Sequence, residues 1–271
     1  MTLASRISLL ATRIAEEFNA VRGEIAALGG ADPFRIEERQ WAHNAVPNSN
    51  APSGYGIVVT LLGTATAAGN LAMTPVQQKY VTVKYRITTP AANAIASIRQ
   101  SVAGIGPIDN DGSGGFKAEM IAGPDTGTSI ATSRFFMGVR GSAAAPTDVD
   151  PSSLASIVGF GYDSADTNIQ IMHNDASGTA TKIDTGWARP TVNSASLYKL
   201  ELSSDPSEGT VKWRATRFNT GAPDVITGTI TTDLPTSSVF LAMLIYHSTG
   251  TSSTNAIGLA YAGSSGIYQL A

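Results

Sequence analysis

The run Asp109-Asn110-Asp111-Gly112-Ser113-Gly114 puts oxygen-bearing side chains at alternating positions ahead of a glycine turn, as in the first half of a calcium loop. Such a loop closes with a bidentate Glu at its twelfth position. Here that position is Met120, and Glu119 sits one place early. A Gly-rich turn between strands accounts for the same residues, so no metal site is assigned. A second group, Tyr162, Asp163, Asp166, His173, Asp175 and Trp187, has the ingredients of a sugar site. Aromatic faces stack on pyranose rings, and carboxylates accept hydrogen bonds from hydroxyls. Within this group Tyr162, Asp163, His173 and Trp187 are the candidate glycan contacts. Paired carboxylates held roughly 5 to 9 Å apart would hydrolyse a glycosidic bond, which makes Asp148, Asp150, Asp163 and Asp166 the candidates for a depolymerase. Asp163, Asp166 and Asp175 fall in turn sequences, however, where Asp is favoured for bonding to the local backbone. Catalytic residues are therefore not assigned, and the chain is read as a non-enzyme. His43, His173 and His247 show no metal-ligand spacing, and there is no nucleophile elbow or phosphate loop.

These residues need elements to hold them, and from residue 55 onward the chain alternates with period two. Val81, Val83, Tyr85 and Ile87 interleave with Tyr80, Thr82, Lys84 and Arg86, the pattern of a half-buried strand. Further strands are predicted over 55–62, 116–121, 134–139, 156–161, 168–173, 179–184, 197–202, 209–216, 225–231, 239–246, 256–262 and 267–270. Turn clusters such as Asp205-Pro206-Ser207-Glu208-Gly209 separate them. Many short strands at this spacing predict an antiparallel sandwich. The Ala-rich stretch 91–102 is a weak helical competitor. No repeat of constant period appears, which argues against a propeller or a solenoid.

The beginning of the chain is different. Leu3, Ile7, Leu10, Ile14, Phe18, Val21, Ile25 and Leu28 recur every three or four residues and form one apolar stripe. The spacing predicts a coiled-coil helix about 40 Å long, with a stutter at Ile14 and Phe18 that relaxes the supercoil. No second helix of comparable strength is present to cover the stripe, so the expected partner is the same helix in another copy. The chain is divided accordingly into an oligomerisation helix at 1–29, a connector rich in Pro and Asn at 30–54, and a β-sandwich domain at 55–271. Mixed Ile and Leu at the seam leaves two, three and six strands open.

Composition narrows the function classes. Of 271 residues 42% are hydrophobic and only 14% charged, so Ser, Thr, Asn, Gly and Ala must cover the surface. A net charge of −3 without any Lys or Arg run disfavours nucleic-acid binding. The absence of Cys excludes disulfides and thiolate metal sites. Arg6, Arg13, Glu16 and Glu17 interrupt what would otherwise be a signal-peptide core, and nothing approaches the roughly 20 apolar residues of a membrane span. No cofactor is implied.

Several runs in the C-terminal half resemble the β-sandwich domains of tailed-bacteriophage fibre proteins. They are Phe136-Met137-Gly138-Val139-Arg140, the run from Leu154 through Tyr162, the run from Ile169 through Asp175, Tyr198-Lys199-Leu200-Glu201-Leu202 and Gly209-Thr210-Val211-Lys212-Trp213. The resemblance implies a jelly-roll or lectin-like sandwich, a homotrimer, a place on the virion surface after assembly in the host cytoplasm, and attachment to host surface polysaccharide. Its other partners would be virion proteins of the head, neck or tail. The chain lacks the repetitive shaft of a long fibre, which favours a short appendage. A capsid-decorating head fibre without a ligand and a glycan depolymerase are the alternatives. The seam makes a direct prediction: Ile14→Asp would bury an unpaired charge, so the oligomer measured by sedimentation should dissociate. An Ile14→Asp protein that keeps the wild-type mass would rule out the seam as the organiser.

Overall fold

A computed structural model describes residues 37–40, 57–62, 83–87, 92–112, 114–126, 132–190, 197–218, 223–251 and 257–268. All belong to the unit Glu37–Ala271. The seam residues Leu3, Ile7, Leu10, Ile14, Phe18, Val21, Ile25 and Leu28 lie outside the described residues, and so do Trp41 and His43. Among the described residues no α-helix occurs; the helical element is a single 3-10 turn at Pro151–Ser153.

Among the described residues fourteen strands follow in order: β1 Glu37–Gln40, β2 Ile57–Leu62, β3 Val83–Ile87, β4 Ile95–Gln100, β5 Phe116–Thr126, β6 Arg134–Arg140 and β7 Ile157–Tyr162, then β8 Asn168–Asn174, β9 Thr181–Ala188, β10 Leu197–Ser204, β11 Val211–Phe218, β12 Asp224–Ile230, β13 Ala242–Ser248 and β14 Ile257–Tyr268. They build two antiparallel sheets. The front sheet runs β2-β4-β13-β6-β7-β8-β9. The back sheet runs β1-β14-β5-β10-β11-β12, with β3 also paired to β14. The mainly β, antiparallel sandwich expected from the period-two pattern is what the chain forms.

Alternation supplies the core between the sheets. Phe135, Met137 and Val139 of β6 and Val158, Phe160 and Tyr162 of β7 face Phe116 and Met120 of β5, Leu200 and Leu202 of β10, and Leu259 and Tyr261 of β14 in one buried cluster. Where only one face is covered, burial itself alternates, as along β12.

Four places depart from the sequence reading. The stretch 91–102, a weak helical candidate, contributes β4, which is flanked by β2 and β13 and buried along nearly its whole length. Partners on both sides override an Ala-rich local preference. The strands expected at 256–262 and 267–270 are one strand, β14, which takes a bulge between Tyr261 and Gly263 and pairs with β5 throughout. Its Gly263-Ser264-Ser265-Gly266 run reads as a turn, but β1 and β5 hold it extended from both sides. Within the connector stretch, Glu37–Gln40 forms β1 against β14 although it has no apolar alternation. β5 also runs on through Gly123 and Pro124 to Thr126. Its ladder with β10 stops at Ala122, so proline's missing N–H breaks no bond on that side.

The most deeply buried histidine among the described residues lies in β13. His247 of β13 is fully buried, edge-on to Phe135, and its Nδ1 lies 2.9 Å from the Gly258 carbonyl. Burial drives its pKa down to about 4, against weaker opposing pulls from the Gly258 carbonyl and Asp125. The neutral ring therefore donates from Nδ1. The unfolded chain binds this proton at higher pH than the folded chain does. Its contribution is thus complete above pH 6.5 and is lost as pH falls towards about 4. Urea denaturation should show stability falling by about 3 kcal/mol across that window. The His247→Gln protein should show a flatter profile there.

Candidate functional site

The outer face of the front sheet is apolar along its middle. Ile95, Phe136, Ile157, Met172, Leu244 and Tyr246 form a second buried cluster with Leu154 and Ala180. Gly138 and Gly159 make room for it: a Cβ on Gly159 would lie 2.5 Å from the Phe136 ring. The cover is the long hairpin loop between β6 and β7, residues 141–156, which carries the 3-10 turn. Tyr246 donates its hydroxyl to the Val149 carbonyl at 3.0 Å, and Arg99 Nη1 donates to the Ala143 carbonyl at 2.5 Å.

Charged residues fix this cover at the Arg134 end of β6. Arg134 donates from Nε to Asp150 at 2.7 Å and from Nη1 to Asp148 at 3.0 Å. Asp150 also accepts from the Ser164 backbone at 2.8 Å, and Asp148 from the Gly250 backbone at 3.1 Å. Lys182 of β9 reaches Asp163 at 2.6 Å and Asp166 at 2.8 Å. Asp163 in turn accepts from the backbone and hydroxyl of Ser152 at 3.0 and 2.5 Å. Arg189 donates to the carbonyl of Ser164 at 3.0 Å and lies 4.6 Å over the Tyr162 ring.

The four carboxylates considered for glycoside cleavage are thus brought together, each bound to a cation. Burial alone would raise the pKa of Asp150, but bonds from Ser164 and Arg134 outweigh it and hold the group below the ordinary carboxylate value. Burial would likewise lower Lys182, and Asp163 with Asp166 reverses that. The Asp150 contribution to stability is therefore present above pH 3.8 and lost as acid protonates it, and the Lys182 contribution is lost only above pH 10.5.

Of the four glycan candidates, three point inward. Tyr162 is 1% exposed, His173 4% and Trp187 7%. Trp187 stacks on Tyr198 with ring centroids 6.3 Å apart and meets Phe160 edge-on. His173 places Nδ1 3.0 Å from the Asp233 carbonyl. These rings pack the sandwich and offer no face to a sugar, and Asp163 is buried in the network above, so the four do not make one open site. The reason is parity: Tyr162 and His173 share the inward register of Phe160 and Ile171. Asp175 accepts bonds from Ser177 in its own turn.

Within the 109–114 run, Asp109 to Gly112 bends back on itself and is stapled to the neighbouring turn. Asp109 Oδ1 accepts from the Asn110 and Asp111 backbones at 2.6 and 3.2 Å. Gly112 donates to the Pro206 carbonyl, and Gly209 donates to the Asp109 carbonyl. Among the described residues no group of three or more His, Asp or Glu side chains is placed to hold a metal.

Sequence reasoning missed the cations Arg134, Lys182 and Arg189, which stand far from their acids in sequence. The outward parity of Arg134 on β6 and Lys182 on β9 was the available signal. Removing Lys182 leaves Asp163 buried and unpaired. Lys182→Ala should therefore lose about 3 kcal/mol in urea denaturation, and adding Asp163→Asn should restore part of it.

No protein-family model and no curated protein sequence matches the chain. Among solved structures, a protein of unknown function from Shewanella oneidensis superposes with a TM-score of 0.53 at 12% identity, covering 88% of this chain and 87% of its own. Peanut lectin, solved with a peptide, superposes with a TM-score of 0.52 at 13% identity, covering 88% of this chain and 98% of its own. The described chain is an antiparallel β-sandwich resembling the legume-lectin fold.

Proposed function

We propose that this protein is a non-enzymatic glycan-binding module of a tailed-bacteriophage particle. Residues 1–29 hold it as a homotrimer on the virion surface, anchored to head, neck or tail proteins. The binding part of this reading is supported by a sandwich that matches a lectin over nearly the whole length of both chains. The step from fold to ligand is an analogy, because one fold hosts many functions. The phage part rests on the strand and turn patterns of the C-terminal half and on the N-terminal seam.

The observation that carries binding over cleavage is the state of the carboxylates. Hydrolysis of a glycosidic bond needs one carboxylic acid held protonated and a second carboxylate across the bond. Asp148 and Asp150 are engaged by Arg134, and Asp163 and Asp166 by Lys182. Asp150 is shifted the wrong way for an acid.

On an array of bacterial surface polysaccharides the full chain should retain a subset of glycans, and incubation should release no new reducing ends. Release of reducing ends would overturn the non-enzymatic reading in favour of a depolymerase. An array without a single bound glycan would favour the capsid-decorating fibre.

A further inference from the structure

The other end of β6 carries charge that no carboxylate neutralises among the described residues. Arg140 closes that strand opposite Ala242 of β13, and Arg99 of β4 lies opposite Leu244 of β13. Leu244 belongs to the outer cluster, so this register puts both arginines on the outer face of the front sheet, one on each side of β13. Both are half-buried. Arg99 spends Nη1 on the Ala143 carbonyl, and its buried Nε has no acceptor. The buried Nη1 of Arg140 has none either, and among the described residues this side chain makes no hydrogen bond or ion pair. The four carboxylates bound to the cover are committed to Arg134 and Lys182.

An aromatic ring stands next to this pair. Phe240 precedes Ala242 by two residues, so it continues the outward line of β13. Leu241 between them is fully buried and bridged to Ile105, whereas Phe240 is 57% exposed. The segment runs beside the chain after Arg140, since a Cβ on Gly141 would lie 2.6 Å from Val239 Cγ1.

A guanidinium partly withdrawn from water without an acceptor is costly, and a second one nearby adds repulsion. Burial lowers the pKa of Arg140, and Arg99 pushes in the same direction against a pull from Tyr246. A bound anion removes both penalties, and the planar fork of arginine fits a carboxylate in particular. The exposed ring of Phe240 supplies the apolar platform on which a sugar ring stacks.

We infer that Arg99, Arg140 and Phe240 form a binding site for a carboxylate-bearing sugar, a uronic-acid unit of an acidic polysaccharide. The site deepens the glycan-binding reading and rests on it. The arginines hold the carboxylate, and Phe240 reads the ring that bears it.

Titration of the full chain with galacturonic acid oligosaccharides, dextran and dextran sulfate tests the site. The wild-type protein should bind the uronate oligosaccharides in preference to dextran. Arg99→Gln with Arg140→Gln should weaken that binding about tenfold or more, and Phe240→Ala should weaken it several-fold. Arg140→Lys, which keeps the charge and loses the fork, should also weaken it. Thermal denaturation should show Arg140→Gln no less stable than wild type, because it removes an uncompensated charge. If that variant fails to fold, the exposed Phe240→Ala change decides alone. Dextran sulfate bound as tightly as the uronate, with no effect of Phe240→Ala, would mean non-specific charge attraction and would overturn the site. Retention of neutral glycans with no response to uronates would overturn this site and leave the glycan-binding reading standing. Failure to bind any glycan would overturn both.

Discussion

The front sheet carries apolar side chains on both of its faces, and the outer set, with Phe136, Tyr246, Met172 and Leu244 at its centre, has to be kept from water. The chain meets this requirement with the long hairpin loop between β6 and β7. A loop alone is a poor lid, because its backbone must find hydrogen bonds where it lies on apolar rings. Hence the ionic fastening: Arg134 takes Asp148 and Asp150 from the loop, and Lys182 takes Asp163, whose oxygens hold Ser152 within the 3-10 turn. Asp148, Asp150 and Asp163 each have a cation and a backbone donor, the condition under which buried charge is tolerated. These carboxylates thus serve the fold, by tying the loop and its neighbours to Arg134 and Lys182.

The sandwich was legible because alternation survives wherever one face meets the core and the other meets water. Period two located β3, β6, β8, β10 and β11 to within a few residues. It failed where partners override local signals, as in Ala-rich β4, in β1, and in the Gly-Ser run inside β14. The site was less legible for a different reason. Tyr162, His173 and Trp187 were chosen by residue type, whereas facing decides whether a ring is core or contact. Parity along β8 could have placed His173 inside with Ile169 and Ile171. Arg99, Arg140 and Phe240 are some 40 and 100 residues apart in sequence, and only the placement of β13 next to both β4 and β6 brings them to one face.

The two ends of β6 therefore play opposite electrostatic parts. Around Arg134 the charges are closed upon one another, and that end holds structure. Around Arg140 no such closure occurs among the described residues, and the exposed ring of Phe240 lies two residues before Ala242, the partner of Arg140 on β13. A module whose surface is mostly small and uncharged needs few such places to become selective, since specificity comes from a handful of placed groups on a rigid scaffold.

The order of strands along the chain has a kinetic consequence. β13 fills the place between β4 and β6, and β14 fills the place beside β5 and joins β1 and β3 to the back sheet. Both sheets thus have a gap at an interior position until the last two strands have been synthesised. Each gap leaves strand edges bare and separates partners by more than a hundred residues of chain. Such long-range closure is slow. The bare edges of β4, β5 and β6 are where an unfinished copy would be captured by another before it could complete itself.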